Sequence, residues 1–212
     1  GNIRRSAGMR QFSSNDSSAA GAKENLWKQD EAGNWSIDPE KDALRMANHT
    51  RVYHSRPTPE VVLEAVKKQF HSGEGAIQFA PESIARSNAD LLNTAELKAE
   101  FIEIYCDQGK EEAGKWLQLN YGPIAEDELQ HRLGRYGLNP CGEILGADFH
   151  CNLAEVHLNQ IDPSDEQGLT DAFKAAALSV ACLLNHNFEV KRYRQSRDWD
   201  PIVGVSFTGL FD

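Results

Sequence analysis

The chain has 212 residues, of which 40% are hydrophobic and 25% charged, and its formal net charge is −10 at pH 7. This composition is typical of a globular protein with a substantial core, and no stretch has the roughly 18 consecutive apolar residues of a membrane span. The acidic balance argues against a general nucleic-acid binder, because affinity for phosphate backbones rests on Lys and Arg. We therefore expect neither a membrane nor a nucleic acid as partner.

The N-terminal region contains one loop signal and one turn signal. Residues 1–7 have extended character, with no initiator Met and no apolar signal region, so we expect a fragment or a processed chain. Residues 12–23 are rich in small and polar side chains, which predicts a loop. Trp27 and Trp35 flank Ala32-Gly33-Asn34, whose composition indicates a turn.

Helix and strand signals alternate through the rest of the chain. The predicted helices are 40–47, 94–107, 110–119, 125–134 and 164–184, the last with Ser164 as its cap. A further helix is predicted to begin at Thr58-Pro59 and to end near 72–75. The predicted strands are 48–53, 76–79 and a buried one at 201–207. Strands separated by helices are typical of an α/β fold, and beyond the loop at 12–23 no linker divides residues 1–212 into separate domains.

Apolar residues recur at helical spacing in three of these helices, and we expect them to face a core. They are Val62, Leu63, Val66 and Phe70 in the first; Leu97, Phe101, Ile104 and Tyr105 in the second; and Leu169, Phe173, Ala176, Ala177, Val180 and Leu184 in the third. The basic run 191–194, followed by Arg197, is predicted to be a solvated face; a phosphate or partner contact is the alternative.

The four cysteines are Cys106, Cys141, Cys151 and Cys182. Their spacing does not match a secreted disulfide scaffold, so we expect a reducing, cytoplasmic setting. Cys106 and Cys182 lie in apolar helical stretches, where a cysteine is usually a packing residue.

The segment Asn139-Pro140-Cys141-Gly142-Glu143 combines three reactive groups. Its Pro and Gly forbid regular helix, and side chains at alternate positions of an extended or looping segment tend to face one side. A thiol, an amide and a carboxylate could thus converge on one ligand, with the carboxylate as base and the thiol as donor of an electron or hydrogen atom.

Cys151 follows ten residues later, and the turn signal at 146–148 could return it to the same site. A disulfide would need the two Cα atoms within about 7 Å. Two alternatives remain open: Cys141 as a buried packing residue, and a zinc site from Cys141, His150, Cys151 and His157. The zinc site is disfavoured because its spacing matches no common zinc pattern.

The motif at 139–144, followed by 151–159, resembles the finger loop of ribonucleotide reductases, in the form nearest to the monomeric, adenosylcobalamin-dependent reductases of nucleoside triphosphates. Weaker similarities to this family occur at 1–7, 45–50, 72–75 and 203–206. The resemblance implies a central fragment of a ten-stranded α/β barrel, with residues 136–151 as the finger loop threaded through its centre. The family's second reducing cysteine, its substrate-phosphate loop and its C-terminal cysteine pair have no counterpart in this sequence.

The same resemblance implies a role for each site residue. Cys141 would carry a thiyl radical that abstracts the ribose 3′ hydrogen, and Glu143 would take the proton of the 3′ hydroxyl. Asn139 would bind the ribose hydroxyls and Glu143, and Cys151 would be one of two thiols that end as a redox-active disulfide. The implied cofactor is adenosylcobalamin, with no metal site in this part of the chain.

The implied partners are a ribonucleotide substrate, an allosteric nucleotide effector and a thioredoxin-type reductant. Two other function classes remain open. One is a non-catalytic nucleotide-binding module that uses the region 48–56, and the other is a thiol–disulfide redox protein that uses Cys141 and Cys151. Glu143 discriminates between them and a reductase, because only radical reduction requires that carboxylate.

Overall fold

The computed structural model describes residues 9–23, 25–45, 47–72, 76–139 and 142–211. The chain forms two compact units, Gly1–Leu145 and Gly146–Asp212. The predicted similarities at 1–7 and at 73–75 fall outside the described residues, and so do Pro140 and Cys141.

The first unit mixes strands and helices. Its elements are β1 (Met9–Ser13), α1 (Ser17–Gly21), β2 (Trp27–Gln29), β3 (Trp35–Ile37), α2 (Asp42–Arg45), β4 (Asn48–Tyr53), α3 (Pro59–Ser72), β5 (Ala76–Phe79), α4 (Ala80–Ser87), α5 (Ala95–Gln108), α6 (Lys110–Tyr121), α7 (Glu126–Leu133), β6 (Gly137–Leu138) and β7 (Leu145–Gly146), the last of which runs across the unit boundary.

The first unit contains a three-stranded parallel sheet of order β1-β4-β5. Its middle strand β4 is mostly buried, with Thr50 fully buried and Val52 2% exposed. Helix α3 is the crossover from β4 to β5, as a parallel connection requires. The two exposed tryptophans belong to the β2–β3 hairpin, whose turn has Gly33 at φ 85° as the composition predicted.

Helices α4 to α7 enclose the main apolar core. Its buried members are Ile84, Ala85, Leu92, Phe101, Ile102, Tyr105, Ala113, Leu117, Leu129 and Leu133. Phe101 is fully buried and Tyr105 is 5% exposed, so the predicted apolar face of α5 is confirmed. Thr94 caps this helix by accepting from the backbone N–H of Leu97 at 3.2 Å.

The second unit contains β8 (Asn152–His157), α8 (Glu166–Leu183), α9 (Lys191–Trp199) and β9 (Val203–Thr208). Strands β8 and β9 form a parallel pair from Asn152 opposite Val203 to His157 opposite Thr208, and α8 packs against both strands. The basic run lies on α9 with Lys191, Arg192 and Arg194 exposed, which agrees with a solvated face. Arg192 pairs with Asp148.

The structure corrects the prediction of a loop at 12–23. This segment contains the end of β1 and the short helix α1. The Asp16 carboxylate caps that helix by accepting from the backbone N–H groups of Ser18 and Ala19 at 3.1 Å each. Small polar residues therefore act here as a helix start rather than as a loop.

Three predicted burial patterns are also wrong. In α3 the buried residue is Ala65, while Leu63 and Val66 are 53% and 46% exposed, because Val62 and Ala65 form the inward face. Leu169 of α8 is 38% exposed. Strand β9 was expected to be buried, but Val203 and Phe207 are 46% and 48% exposed, because the sheet has two strands and α8 covers only part of it.

The capping residue of α8 differs from the prediction as well. Asp165, not Ser164, is the N-cap and accepts from the backbone N–H of Gly168 at 2.8 Å. Ser164 is engaged one turn earlier, where its hydroxyl donates to Asp162 at 2.7 Å.

The fold class is α/β, as expected, but none of the sheets formed by the described residues closes into a barrel. Within the same residues, no helix has both the length and the apolar character needed to cross a membrane.

Candidate functional site

The described residues of the predicted reactive segment, Asn139, Gly142 and Glu143, lie in the connection between β6 and β7, which pair as a two-stranded sheet. The backbone N–H of Asn139 donates to the carbonyl of Ile144 at 3.3 Å, and the N–H of Gly142 donates to the carbonyl of Asn139 at 3.0 Å. Gly142 has φ 82°, a left-handed conformation that glycine adopts without the strain of a side chain. The turn therefore accounts for the glycine in the motif.

Asn139 organises this turn through its side chain. Its Oδ1 accepts from the backbone N–H groups of Glu143 at 3.1 Å and Ile144 at 3.0 Å, and its Nδ2 donates to Oε1 of Glu143 at 2.5 Å. The amide thus fixes both the backbone and the carboxylate of the same residue. Glu143 is exposed, so its second carboxylate oxygen is accessible to a ligand.

The four predicted site residues have different outcomes. Asn139 and Glu143 come together, as the motif predicted. Cys141 lies outside the described residues. Cys151 belongs to the second unit, where it is exposed and immediately precedes β8.

The other described cysteines differ from each other in burial. Cys106 is half-buried, and burial raises the pKa of its thiol despite the opposing effect of Arg56. Cys182 is exposed, so the expectation that it packs in an apolar environment is wrong. The reason is that it lies on the face of α8 opposite the buried Val180 region rather than along it.

The segment that leads into the turn is anchored by two amides, one half-buried and one buried, that the sequence patterns did not predict. The side chains of Gln11 in β1 and Gln78 in β5 both donate to the backbone carbonyl of Tyr136, at 2.9 and 2.6 Å. One residue earlier, the carbonyl of Arg135 accepts from the hydroxyl of Ser87 at 3.0 Å. A polar residue at the buried position of the apolar strand 76–79 was the available signal.

A cavity of about 420 Å³ lies beside Tyr136 and is lined by His54, Tyr105, Cys106 and Lys110 among others. His54 Nδ1 lies 3.2 Å from the Tyr105 hydroxyl, and its ring meets the Tyr136 ring edge-on at 5.2 Å. Burial, and then the charge of Lys110, lowers the pKa of His54. Burial raises the pKa of Tyr105 to about 12, so its hydroxyl stays protonated.

A second cavity of about 380 Å³ lies at the carboxyl ends of β1 and β4. Its lining includes Ser14, Asn15, Arg51 and Lys68. Crevices at this end of parallel strands often take ligands, although neither Asn139 nor Glu143 borders it.

No group of three or more metal-ligating side chains occurs among the described residues. His150 stacks on Phe188 at 4.5 Å, and the ring of His157 faces the hydroxyl of Thr208 at 3.1 Å. Neither of the two cavities described above is lined by the residues of the turn.

Comparison with known proteins gives no relative for this chain: no family model, curated protein or solved structure matches it.

Proposed function

We propose that the protein is part of a ribonucleotide reductase and that it reduces ribonucleotides to deoxyribonucleotides by a thiyl-radical mechanism. The proposed substrates are the triphosphates that the resemblance implies. The observation that carries this proposal is the contact between the Asn139 amide and the Glu143 carboxylate across the turn that contains Cys141 in sequence. A carboxylate held by an amide suits a base that must meet a sugar hydroxyl at a fixed distance.

The proposed reaction assigns one task to each group. A thiyl radical on Cys141 takes the hydrogen atom from the ribose 3′ carbon, which forms the S–H bond and leaves a carbon radical. Glu143 accepts the proton of the 3′ hydroxyl, and the 2′ hydroxyl departs as water. Two thiols supply two electrons and two protons in total and end as a disulfide; one proton leaves with the 2′ hydroxyl as water and the other goes to the 2′ carbon. Glu143 returns its proton to the 3′ oxygen, and the hydrogen atom returns to the 3′ carbon from Cys141, which regenerates its radical.

Asn139 has two tasks in this scheme. Its Nδ2 group holds Glu143, while its Oδ1 atom fixes the backbone of the turn. Neither nucleotide binding alone nor thiol–disulfide exchange requires such a carboxylate, so the paired side chains favour the reductase over the two alternatives.

Cys151 is proposed as one of the two reducing thiols. Its exposure in the second unit is compatible with exchange with an external dithiol, for which a thioredoxin-type protein is the proposed reductant. A nucleotide effector completes the proposed partners, and the cytoplasm, where thiols remain reduced, is the proposed location.

The same proposal includes the arrangement of the strands in a barrel. The β1-β4-β5 sheet and the β8–β9 pair are both parallel, as strands of an α/β barrel are. We propose that they are strands of the ten-stranded barrel that the resemblance implies.

Adenosylcobalamin is proposed as the radical source on the resemblance alone. The two cavities lie away from the residues of the turn, so no residue of this chain is assigned to hold the cofactor and no step is routed through it. The test is an assay of the intact protein with a ribonucleoside triphosphate and a dithiol, with and without adenosylcobalamin. Deoxynucleotide formation that depends on the cofactor supports both assignments, and formation without it rejects the cofactor alone.

The cysteines have a matched control in this assay. Cys141→Ser should abolish product formation, whereas the exposed Cys182→Ser should leave it unchanged. Cys151→Ser should stop multiple turnover with the dithiol. Full turnover by Cys141→Ser would reject the radical mechanism, and undiminished steady-state turnover by Cys151→Ser would remove Cys151 from it.

A further inference from the structure

Two glutamine side chains converge on one backbone carbonyl below the reactive turn. Gln11 donates through Nε2 to Oε1 of Gln78 at 2.7 Å and to the carbonyl of Tyr136 at 2.9 Å. Gln78 donates through Nε2 to the hydroxyl of Ser83 at 3.0 Å and to the same carbonyl at 2.6 Å. Both N–H groups of each amide are therefore in use, and both lone pairs of the carbonyl are occupied.

The network is half-buried at Gln11 and buried at Gln78, and its orientation is determined. Gln78 is 5% exposed, and Ser83, 7% exposed, donates its hydroxyl proton to the carbonyl of Phe79 at 3.2 Å. That bond makes the Ser83 oxygen an acceptor for Gln78, which in turn fixes the direction of the Gln78 amide. An amide rotated by half a turn would lose two donors, so a single arrangement satisfies the network.

The Tyr136 carbonyl lies shortly before the turn in the chain. Tyr136 immediately precedes β6, and Asn139 follows β6 directly. Gln11 and Gln78 lie on β1 and β5, the two strands that flank the central strand β4. The network therefore connects the two outer strands of the sheet to the peptide group from which the turn projects.

We propose that Gln11 and Gln78 are positioning residues, which hold the turn with Asn139 and Glu143 in its reactive geometry through the Tyr136 carbonyl. The catalytic part of this inference rests on the proposed function; the ordering of the turn does not. If the Gln11 and Gln78 amides only needed hydrogen-bond partners, any polar groups nearby would serve. Instead, both amides donate to the same carbonyl, that of Tyr136.

The first test measures backbone hydrogen exchange in the intact protein. Gln78→Leu and Gln11→Leu should each speed exchange at residues 137–139 and 142–144 by about tenfold or more, because a hydrogen bond to the carbonyl that precedes the turn is lost. Exchange in the middle of α5 should stay within about twofold, which shows that the unit remains folded. Gln69→Leu, an exposed glutamine of α3, is the matched control and should change neither region.

The second test measures deoxynucleotide formation. A displaced turn should lower kcat by about 10- to 100-fold while KM changes by less than about threefold, since chemistry depends on alignment more steeply than binding does. General destabilisation would instead lower the amount of active protein and leave the kcat of the folded fraction unchanged. Active-site titration separates the two.

The outcomes separate this inference from the proposed function. Faster exchange at the turn together with lower kcat supports it. Unchanged exchange at the turn in both glutamine variants overturns it, whatever the activity. If the wild-type protein forms no deoxynucleotide, the proposed function fails, and the exchange data still decide whether the glutamines order the turn.

Discussion

The Asn139 amide holds the Glu143 carboxylate across a turn of six residues, with 2.5 Å between Nδ2 and Oε1. The Oδ1 atom of the same amide receives the backbone N–H groups of Glu143 and Ile144. One side chain therefore sets the position of the acid and the shape of the turn together. These two tasks can be separated by mutation.

Asn139→Asp and Asn139→Ala should have different effects on the turn. Aspartate keeps an acceptor for the two backbone N–H groups but loses the donor to Glu143 and adds a repelling charge; alanine loses all three bonds. Backbone hydrogen exchange at residues 142–144 should thus rise by about tenfold or more in Asn139→Ala and less in Asn139→Asp. Equal protection in both variants and in the wild type would show that Asn139 does not order the turn.

Gly142→Ala should destabilise the turn through its backbone. Gly142 has φ 82° and an added Cβ would meet no atom within 4 Å, so the expected cost of about 1 kcal/mol comes from the left-handed conformation alone. Gly122→Ala is the matched control, because Gly122 has φ 89° and equally open surroundings at the end of α6. Denaturant unfolding should give similar losses for both, with faster exchange at 142–144 in Gly142→Ala only. A stability gain in either variant would contradict this account.

Asn88 should be among the most sensitive polar positions of the first unit. It is fully buried, donates to the carbonyls of Ile84 and Arg132 at 2.9 and 3.0 Å, and accepts from Arg132 and Arg135 at 3.1 Å each. Asn88→Leu should lower the free energy of unfolding by about 1–3 kcal/mol, because these groups lose a buried partner.

The exposed Asn93 provides the control for this substitution. Asn93→Leu should change the free energy of unfolding by less than about 0.5 kcal/mol, since it lies on the surface between α4 and α5. Equal effects of the two variants would mean that the bonds of Asn88 contribute nothing measurable.

His54 should make the first unit less stable in mild acid. Burial and Lys110 lower the pKa of His54 below 6.5, its value in an unfolded chain. Between these two pKa values the unfolded chain holds more protons at His54 than the folded chain does. The stability that the neutral His54 ring contributes is therefore complete above pH 6.5 and is lost as the pH falls toward the folded pKa. The free energy of unfolding, measured at a series of pH values, should fall in this pH range for the wild type, and His54→Asn should lack that fall.

Lys110→Gln tests the cause of that shift. Removal of the neighbouring charge should raise the pKa of His54, which an NMR titration of its ring can follow. An unchanged titration would leave burial as the sole cause, and a fall in pKa would contradict the arrangement around the cavity.

Local signals in the sequence predicted most of the regular elements. Pro59 does begin α3, and the strands at 48–53 and 76–79 are present with the expected bounds. Such signals act through neighbouring residues. Burial depends on what packs against an element, and for this reason Leu63 and Val66 were placed wrongly although their helix was right.

The site was predictable in part for the same reason. The pairing of Asn139 with Glu143 is local, because it joins residues four positions apart in a segment where Gly142 has φ 82°. The contacts of Gln11 and Gln78 with Tyr136 join residues 125 and 58 positions apart, and nothing in their own segments specifies that partner. Asn139 and Glu143 also come together for a different reason from the one expected. The expectation was that alternate side chains face one side, whereas hydrogen bonds from backbone N–H groups to the Asn139 side chain shape the turn.

The most direct test of the central claim is deoxynucleotide formation by the intact protein and its Glu143→Gln variant, with Glu103→Gln as an exposed control on α5. The amide of glutamine keeps the size of the side chain but cannot accept the 3′ hydroxyl proton. We predict product from the wild type and from Glu103→Gln, and a loss of about 100-fold or more in Glu143→Gln. Product formation by Glu143→Gln at the wild-type rate would contradict the proposed role of this carboxylate.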